Sequence, residues 1–144
     1  TIRSSSAASD VYKRQVLLGG AAGQFVGRDR LDLPLTLEDT RAAGLSLGSG
    51  MVMVFDDTVD FGPVVTRIAE FFRHESCGQC VPCRVGTVRQ HELLTGPLDT
   101  TPLDTALLHD IARVMADASI CGLGHTASAA VRSAIDLGLI GATR

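Results

Sequence analysis

The sequence predicts an α+β protein, with a small β-rich unit over residues 16–60 and a helical unit over residues 61–144. Three observations carry that expectation. Up to about residue 60 the apolar residues come in short runs or alternate with polar ones, and glycines interrupt them. Beyond it they recur at helical spacing, between proline and glycine boundaries. Three of the four cysteines then crowd into one short stretch between the first two helical segments, and the fourth precedes the last.

Residues 1–15, "TIRSSSAASDVYKRQ", are rich in Ser and Ala and offer no periodic apolar face. They are set aside as a disordered or non-native leader. "QVLLGG" then reads as a short strand stopped by glycines. In "RLDLPLT", Leu31, Leu33 and Leu35 alternate with polar residues or proline, the period of a strand. "LEDTRAAG" suits one or two helical turns ended by Gly44, and Met51 to Phe55 form a compact apolar strand. Gly19, Gly20, Gly23 and Gly27 have some look of a phosphate loop. No Lys-Ser/Thr follows them, however, and isolated glycines mostly serve turns.

Gly62-Pro63 opens the first long helix, whose expected apolar stripe is Val64, Val65, Ile68, Phe71 and Phe72. A second helix is expected from about Cys83 to Leu94, ending before Gly96-Pro97. A third opens at Thr101-Pro102 with the stripe Leu103, Leu107, Ile111, Val114 and Met115. A fourth, from about Thr126 to Leu137, should bury Ala127, Ala130, Val131, Ala134 and Ile135. Four helices with short connections are expected to form an antiparallel four-helix bundle.

Hydrophobic residues make up 45% of the 144 and charged residues 20%, a globular balance. A formal net charge of −3, with both signs mixed along the chain, argues against nucleic acid or anionic lipid as a main partner. No apolar run approaches the roughly 18 residues of a membrane span, and no export signal is readable. The cysteines are therefore expected to ligate a metal or cluster in a reducing cytoplasm rather than to pair as disulfides.

Cys77, Cys80 and Cys83 stand three residues apart, and Cys121 follows after 37 intervening residues (84 to 120). A cubane iron–sulfur cluster takes a thiolate at each of its iron corners. A short loop can reach three corners with ligands at that pitch, which leaves one corner for a distant ligand. Gly78 allows a tight turn and Pro82 stiffens the approach to Cys83. Arg73, Arg84 and Arg89 are candidates to offset cluster charge, or simply solvated residues. The competing reading is structural zinc, whose ligands more often come as two separated pairs. A redox Cys77–Cys80 pair would leave two cysteines unexplained. With four thiols to hand no histidine is needed as a ligand. His125 is the reserve candidate, while His74, His91 and His109 read as exposed helix residues.

"ESCGQCVPCRVG" at residues 75–86, followed by "SICGLGHTA" at 119–127, resembles the C-terminal part of the family of NADH-binding flavoprotein subunits. That family includes the FMN subunit of respiratory complex I, diaphorase subunits of NAD-linked hydrogenases and beta subunits of NAD-dependent formate dehydrogenases. The resemblance implies one [4Fe–4S] cluster on Cys77, Cys80, Cys83 and Cys121. "GLSLGSGMVMVFDDTVD" (residues 44–60) is similar to the end of the family's ubiquitin-like, soluble-ligand-binding β-grasp domain. "CGLGHTASAAVRSAIDLGLIG" looks more like the formate dehydrogenase and hydrogenase members than the complex I subunits, and the resemblance leans to a formate dehydrogenase beta subunit. FMN and NAD would bind in an N-terminal α/β domain that this chain lacks. The expectation is a C-terminal fragment of a cytoplasmic dehydrogenase subunit, with iron–sulfur subunits as partners and no catalysis by itself. In the complete protein, Gly122 and Leu123 beside the fourth ligand are expected to approach the flavin.

Overall fold

A computed structural model describes residues 13–96 and 102–141, with side chains from Gln15 onward. They fall into two compact units, one ending at Val59 and the other beginning at Asp60.

The first unit is a three-stranded antiparallel sheet in the order β2-β1-β3. Its strands are β1 (Lys13–Leu18), β2 (Gln24–Val26) and β3 (Val52–Asp56). β1 lies in the middle, pairing Val16 with Val26 on one side and with Val54 on the other. Its run Val16-Leu17-Leu18 is unbroken rather than alternating because all three side chains are buried. Val16, Leu18 and Val26 form the core, covered by Leu31, Leu35, Leu45, Leu47 and Val52. Residues 1–12 of the leader lie outside the described residues. Its last three belong to the segment that opens β1.

One expectation changes here. Leu31 and Leu35 do cover the sheet, but from a 3-10 turn (Arg28–Arg30) and irregular chain, not from a strand. Pro34 has no N–H for a ladder, and any extended segment lying over an apolar face alternates with the same period. The glycines after β1 build its connection to β2. Gly19 has φ +94°, and its N–H bonds Met51 O at 2.8 Å. A Cβ on Gly23 would fall 1.8 Å from Leu18 O. Only a three-residue 3-10 turn follows Gly19, so no helix N-terminus opens there as a phosphate loop requires. Between β2 and β3 the expected short helix α1 (Leu37–Ala42) is capped by Thr36, whose Oγ1 accepts from Asp39 N at 3.0 Å.

The second unit is helical: α2 (Phe61–Glu75), α3 (Val81–Thr95), α4 (Thr105–Ala118), α5 (Gly122–Thr126) and α6 (Ala129–Asp136). α2 starts one residue before Gly62, capped by the Asp60 carboxylate on Gly62 N at 3.0 Å. It buries Phe61, Val65, Ala69 and Phe72, whereas Phe71 is exposed. α4 is capped by Asp104, which accepts from Leu107 N. Thr101, the expected cap, and Pro97 lie outside the described residues. Its buried stripe is Leu108, Ala112 and Met115, one position round from the expected one, so Leu107 and Val114 face outward. The single fourth helix expected from the sequence is instead two, α5 and α6, divided at Ala127-Ser128. Ala127, Ala130, Val131 and Ala134 are buried as expected.

α3 lies between α2 and α4, and its buried stripe is Cys83, Gly86, Thr87, Gln90 and Leu94. Thr87 Oγ1 donates to Cys83 O at 2.8 Å, and Gln90 Nε2 donates to Ala127 O at 3.2 Å. Gly86 brings the helices together, since a Cβ there would stand 2.3 Å from Met115 Sδ and 2.5 Å from its Cγ. α4 and α5 also pack together, and α5 touches α3. This closure brings the fourth cysteine's segment to the other three.

Candidate metal centre

Cys77 follows Ser76, the C-cap of α2, and Cys80 is the N-cap of α3. Residues 76–80 between them are irregular, and Gly78 takes φ +74°, a conformation that L side chains rarely adopt. Arg84 Nη1 donates to Gly78 O at 3.1 Å and ties this loop to the first turn of α3. Pro82 stands at the second helical position, where a missing N–H is harmless. Cys83, one residue on, faces the interior. Cys121 is the N-cap of α5.

All four thiols are free; Cys77 and Cys121 are exposed, Cys80 is half-buried and Cys83 is buried. Two links join the segments that carry them. The N–H of Ile120 points at the Cys80 sulfur and is the main reason its thiol ionises below the ordinary value. The N–H of Cys83 adds to this, and the Ser119 hydroxyl adds a lesser pull. A Cβ on Gly124 would stand 3.2 Å from Cys83 Cβ and 2.2 Å from Ser119 Oγ, so α5 meets α3 through a glycine. Cys80 and Cys83 therefore abut the 119–124 segment. Cys77 and Cys121 stand at the exposed ends of the two pieces.

The donor set fits an iron–sulfur cluster. It is four soft thiols without a hard ligand among them. Backbone N–H groups reach the Cys80 sulfur and offset negative charge there. Among the described residues, no three His, Cys, Asp or Glu side chains are grouped closely enough to hold a metal ion.

Three of the histidines and two of the arginines have partners other than the thiols. Arg73 Nη1 lies 3.1 Å from His91 Nδ1, Arg89 pairs with Glu92 at 2.7 Å, and His109 lies 3.6 Å from Asp136. His74 is exposed. His125 Nε2 lies 2.8 Å from Ser119 O, bracing the turn ahead of Cys121.

Sequence reasoning missed two serines. Ser76 Oγ lies 3.4 Å from Cys83 Sγ. Ser119 is buried, and its Oγ has no well-aligned hydrogen-bond partner among the described residues. Each stands one or two positions before a cysteine, and that placement was the only signal available.

Residues 63–137 match the family model described as the NADH-ubiquinone oxidoreductase-F iron-sulfur binding region. That stretch holds all four cysteines and a little over half of the chain. Among curated proteins, the F subunit of the NADH-quinone oxidoreductase of Streptomyces coelicolor is 38% identical over 121 residues, covering 81% of this chain and 26% of its own length. The F 2 subunit of the NADH-quinone oxidoreductase of Rhizobium meliloti is 33% identical over 126 residues, covering 85% of this chain and 30% of its own. Among solved structures, an NAD+-reducing [NiFe]-hydrogenase in the H2-reduced state superposes with a TM-score of 0.75 at 33% identity. That match covers 87% of this chain and 22% of the hydrogenase chain. The chain thus spans about a quarter of the length of such relatives. With more than half its length in the family's matched region and its fold shared with an NAD+-reducing enzyme, the chain belongs to the NADH-ubiquinone oxidoreductase-F iron-sulfur binding family.

Proposed function

We propose that Cys77, Cys80, Cys83 and Cys121 hold one [4Fe–4S] cluster, and that the chain is the electron-relay module of an NAD(H)-linked oxidoreductase subunit. The observation that carries this reading is the meeting of Cys80 with the Ile120 N–H. It joins the three-cysteine loop to the residue preceding the fourth cysteine. When bound, such a cluster supplies one-electron chemistry, taking up and releasing an electron without bond breaking. The residues of the chain hold and shield it. Gly78 and Arg84 shape the loop, the N–H groups of Ile120 and Cys83 favour thiolate at Cys80, and burial of Cys83 keeps water from one side.

The rest of the relay belongs to the parent protein. FMN and NADH would bind in its remaining part, and electrons would pass onward to iron–sulfur subunits of a multi-subunit complex. The three-stranded sheet with α1 is taken as the remnant of a β-grasp domain. The string Cys-Gly-Leu-Gly-His at residues 121–125 favours a formate dehydrogenase type of parent. Quinone-linked and hydrogen-linked parents are the other members of the class. The proposed location is cytoplasmic, reaching the inner membrane only through partner subunits. Among the described residues no helix is long and apolar enough to cross a membrane.

The rival is a zinc-stabilised interaction module. Anaerobic reconstitution of the chain with ferrous iron, sulfide and zinc in competition separates the two. Iron and acid-labile sulfide in equal amounts are expected. Stoichiometric zinc without labile sulfide would overturn the reading.

A further inference from the structure

Burying a hydroxyl without an acceptor is unfavourable, and native structures leave few such groups. Ser119 is 9% exposed, and its Oγ has no well-aligned hydrogen-bond partner among the described residues. Its surroundings fix where it sits. The His125 ring holds the Ser119 carbonyl at 2.8 Å. The missing Cβ of Gly124 leaves the room its side chain fills, because a methyl there would stand 2.2 Å from Oγ and 2.4 Å from Cβ. The same glycine borders Cys83. Ser119 therefore lies between α5 and the cysteine-bearing first turn of α3. The next residue's N–H already points at the Cys80 sulfur.

We propose that Ser119 is a positioning residue whose hydroxyl donates a hydrogen bond to the Cys80 thiolate of the bound cluster and thereby raises its reduction potential. The inference rests on the ligand reading above. The Ile120 N–H, one residue on, already meets the Cys80 sulfur, which puts that sulfur beside the Ser119 hydroxyl. A serine hydroxyl has one proton to give, and a thiolate sulfur has room for it beside the N–H groups of Ile120 and Cys83. On reduction the cluster gains one electron and no proton, so added negative charge spreads over its sulfur ligands. A hydrogen bond to one of them stabilises the reduced form more than the oxidised form, and the potential shifts upward. Ser119 keeps its proton throughout and no bond is broken.

The test is an anaerobic redox titration followed by EPR on the reconstituted chain and on Ser119→Ala, Ser119→Thr and Ser119→Val. The last two are close in volume and differ chiefly in the hydroxyl. The Ala and Val variants are expected to titrate at more negative potential, with the Thr variant near the unaltered chain. In D2O, a deuterium coupling from the hydroxyl should appear in the unaltered and Thr forms and vanish in the Ala and Val forms. Equal potentials in all loaded forms, or Thr and Val shifted alike, would overturn the proposal. Should Ala fail to load, the Thr–Val comparison decides, and loss of the cluster from both alike also counts against the hydroxyl. An unaltered chain that takes up no cluster defeats instead the ligand reading on which this rests.

Discussion

Among the described residues, Cys80 and Asp56 are the two groups whose ionisation the fold favours, and in both a short-range donor is the cause. Asp56 closes β3. Its Oδ1 accepts the Thr58 hydroxyl at 2.6 Å and the Thr58 N–H at 2.9 Å, which hold the carboxyl below its usual pKa. A depressed folded-state value means the interaction is fully present above the ordinary carboxylate range and is lost as pH falls through the lowered value. Thr58→Ala removes the larger of the two donors, so an NMR titration should show the Asp56 pKa rising part of the way back. A Thr58→Ser change should leave it low. The four cysteines of the proposed cluster stand out in the sequence because thiol chemistry is written in residue type and spacing. Ser76 and Ser119 were not, because a serine's role depends on what lies within hydrogen-bond reach once the chain is folded.

The helices show where periodicity succeeds and where it fails. α2 and α4 carry apolar stripes, so their existence was readable, although each buries a stripe displaced from the expected one. Such shifts arise because neighbouring helices, not hydropathy alone, choose the buried face. α3 gave no apolar stripe to find. Its inner face of Cys83, Gly86, Thr87, Gln90 and Leu94 exists to let α4 approach and to place a thiol. Gly86→Ala would drive a methyl into Met115, which is 1% exposed and has little room to move. The expected cost is about 1–3 kcal/mol of stability, the usual penalty for overpacking, read as a lower urea midpoint. Met115→Ala in the same chain should relieve part of that cost, so the double variant should be less destabilised than the sum of the singles. Additive losses would mean the two residues are not in the contact described. The break between α5 and α6 was invisible in the sequence for a related reason. Ala127 and Ser128 carry no proline or glycine signal, yet both are buried at the turn.

Across the chain as a whole, the α+β composition and the order of its parts were readable because the period of the apolar residues changes near Asp60, where the two compact units divide. The sheet was half legible. β1 and β3 announce themselves as apolar runs, whereas β2 is three residues within a glycine-rich turn and leaves too short a pattern to detect. The proposed centre is the reverse case. Its four cysteines were put forward from spacing and resemblance, but the approach of their segments depends on α5 touching α3 through Gly124, a long-range contact no local pattern encodes. The relay stands or falls on the closure of two segments 37 residues apart on one cluster, with Cys121 as the ligand that closes it. The deciding experiment is the Mössbauer spectrum of the chain reconstituted with 57Fe, taken beside that of Cys121→Ser. The unaltered chain should show a single [4Fe–4S] species with its iron sites alike, and the variant should lose one iron or the whole cluster. Identical spectra and equal iron content in the two proteins would show that the fourth ligand lies elsewhere.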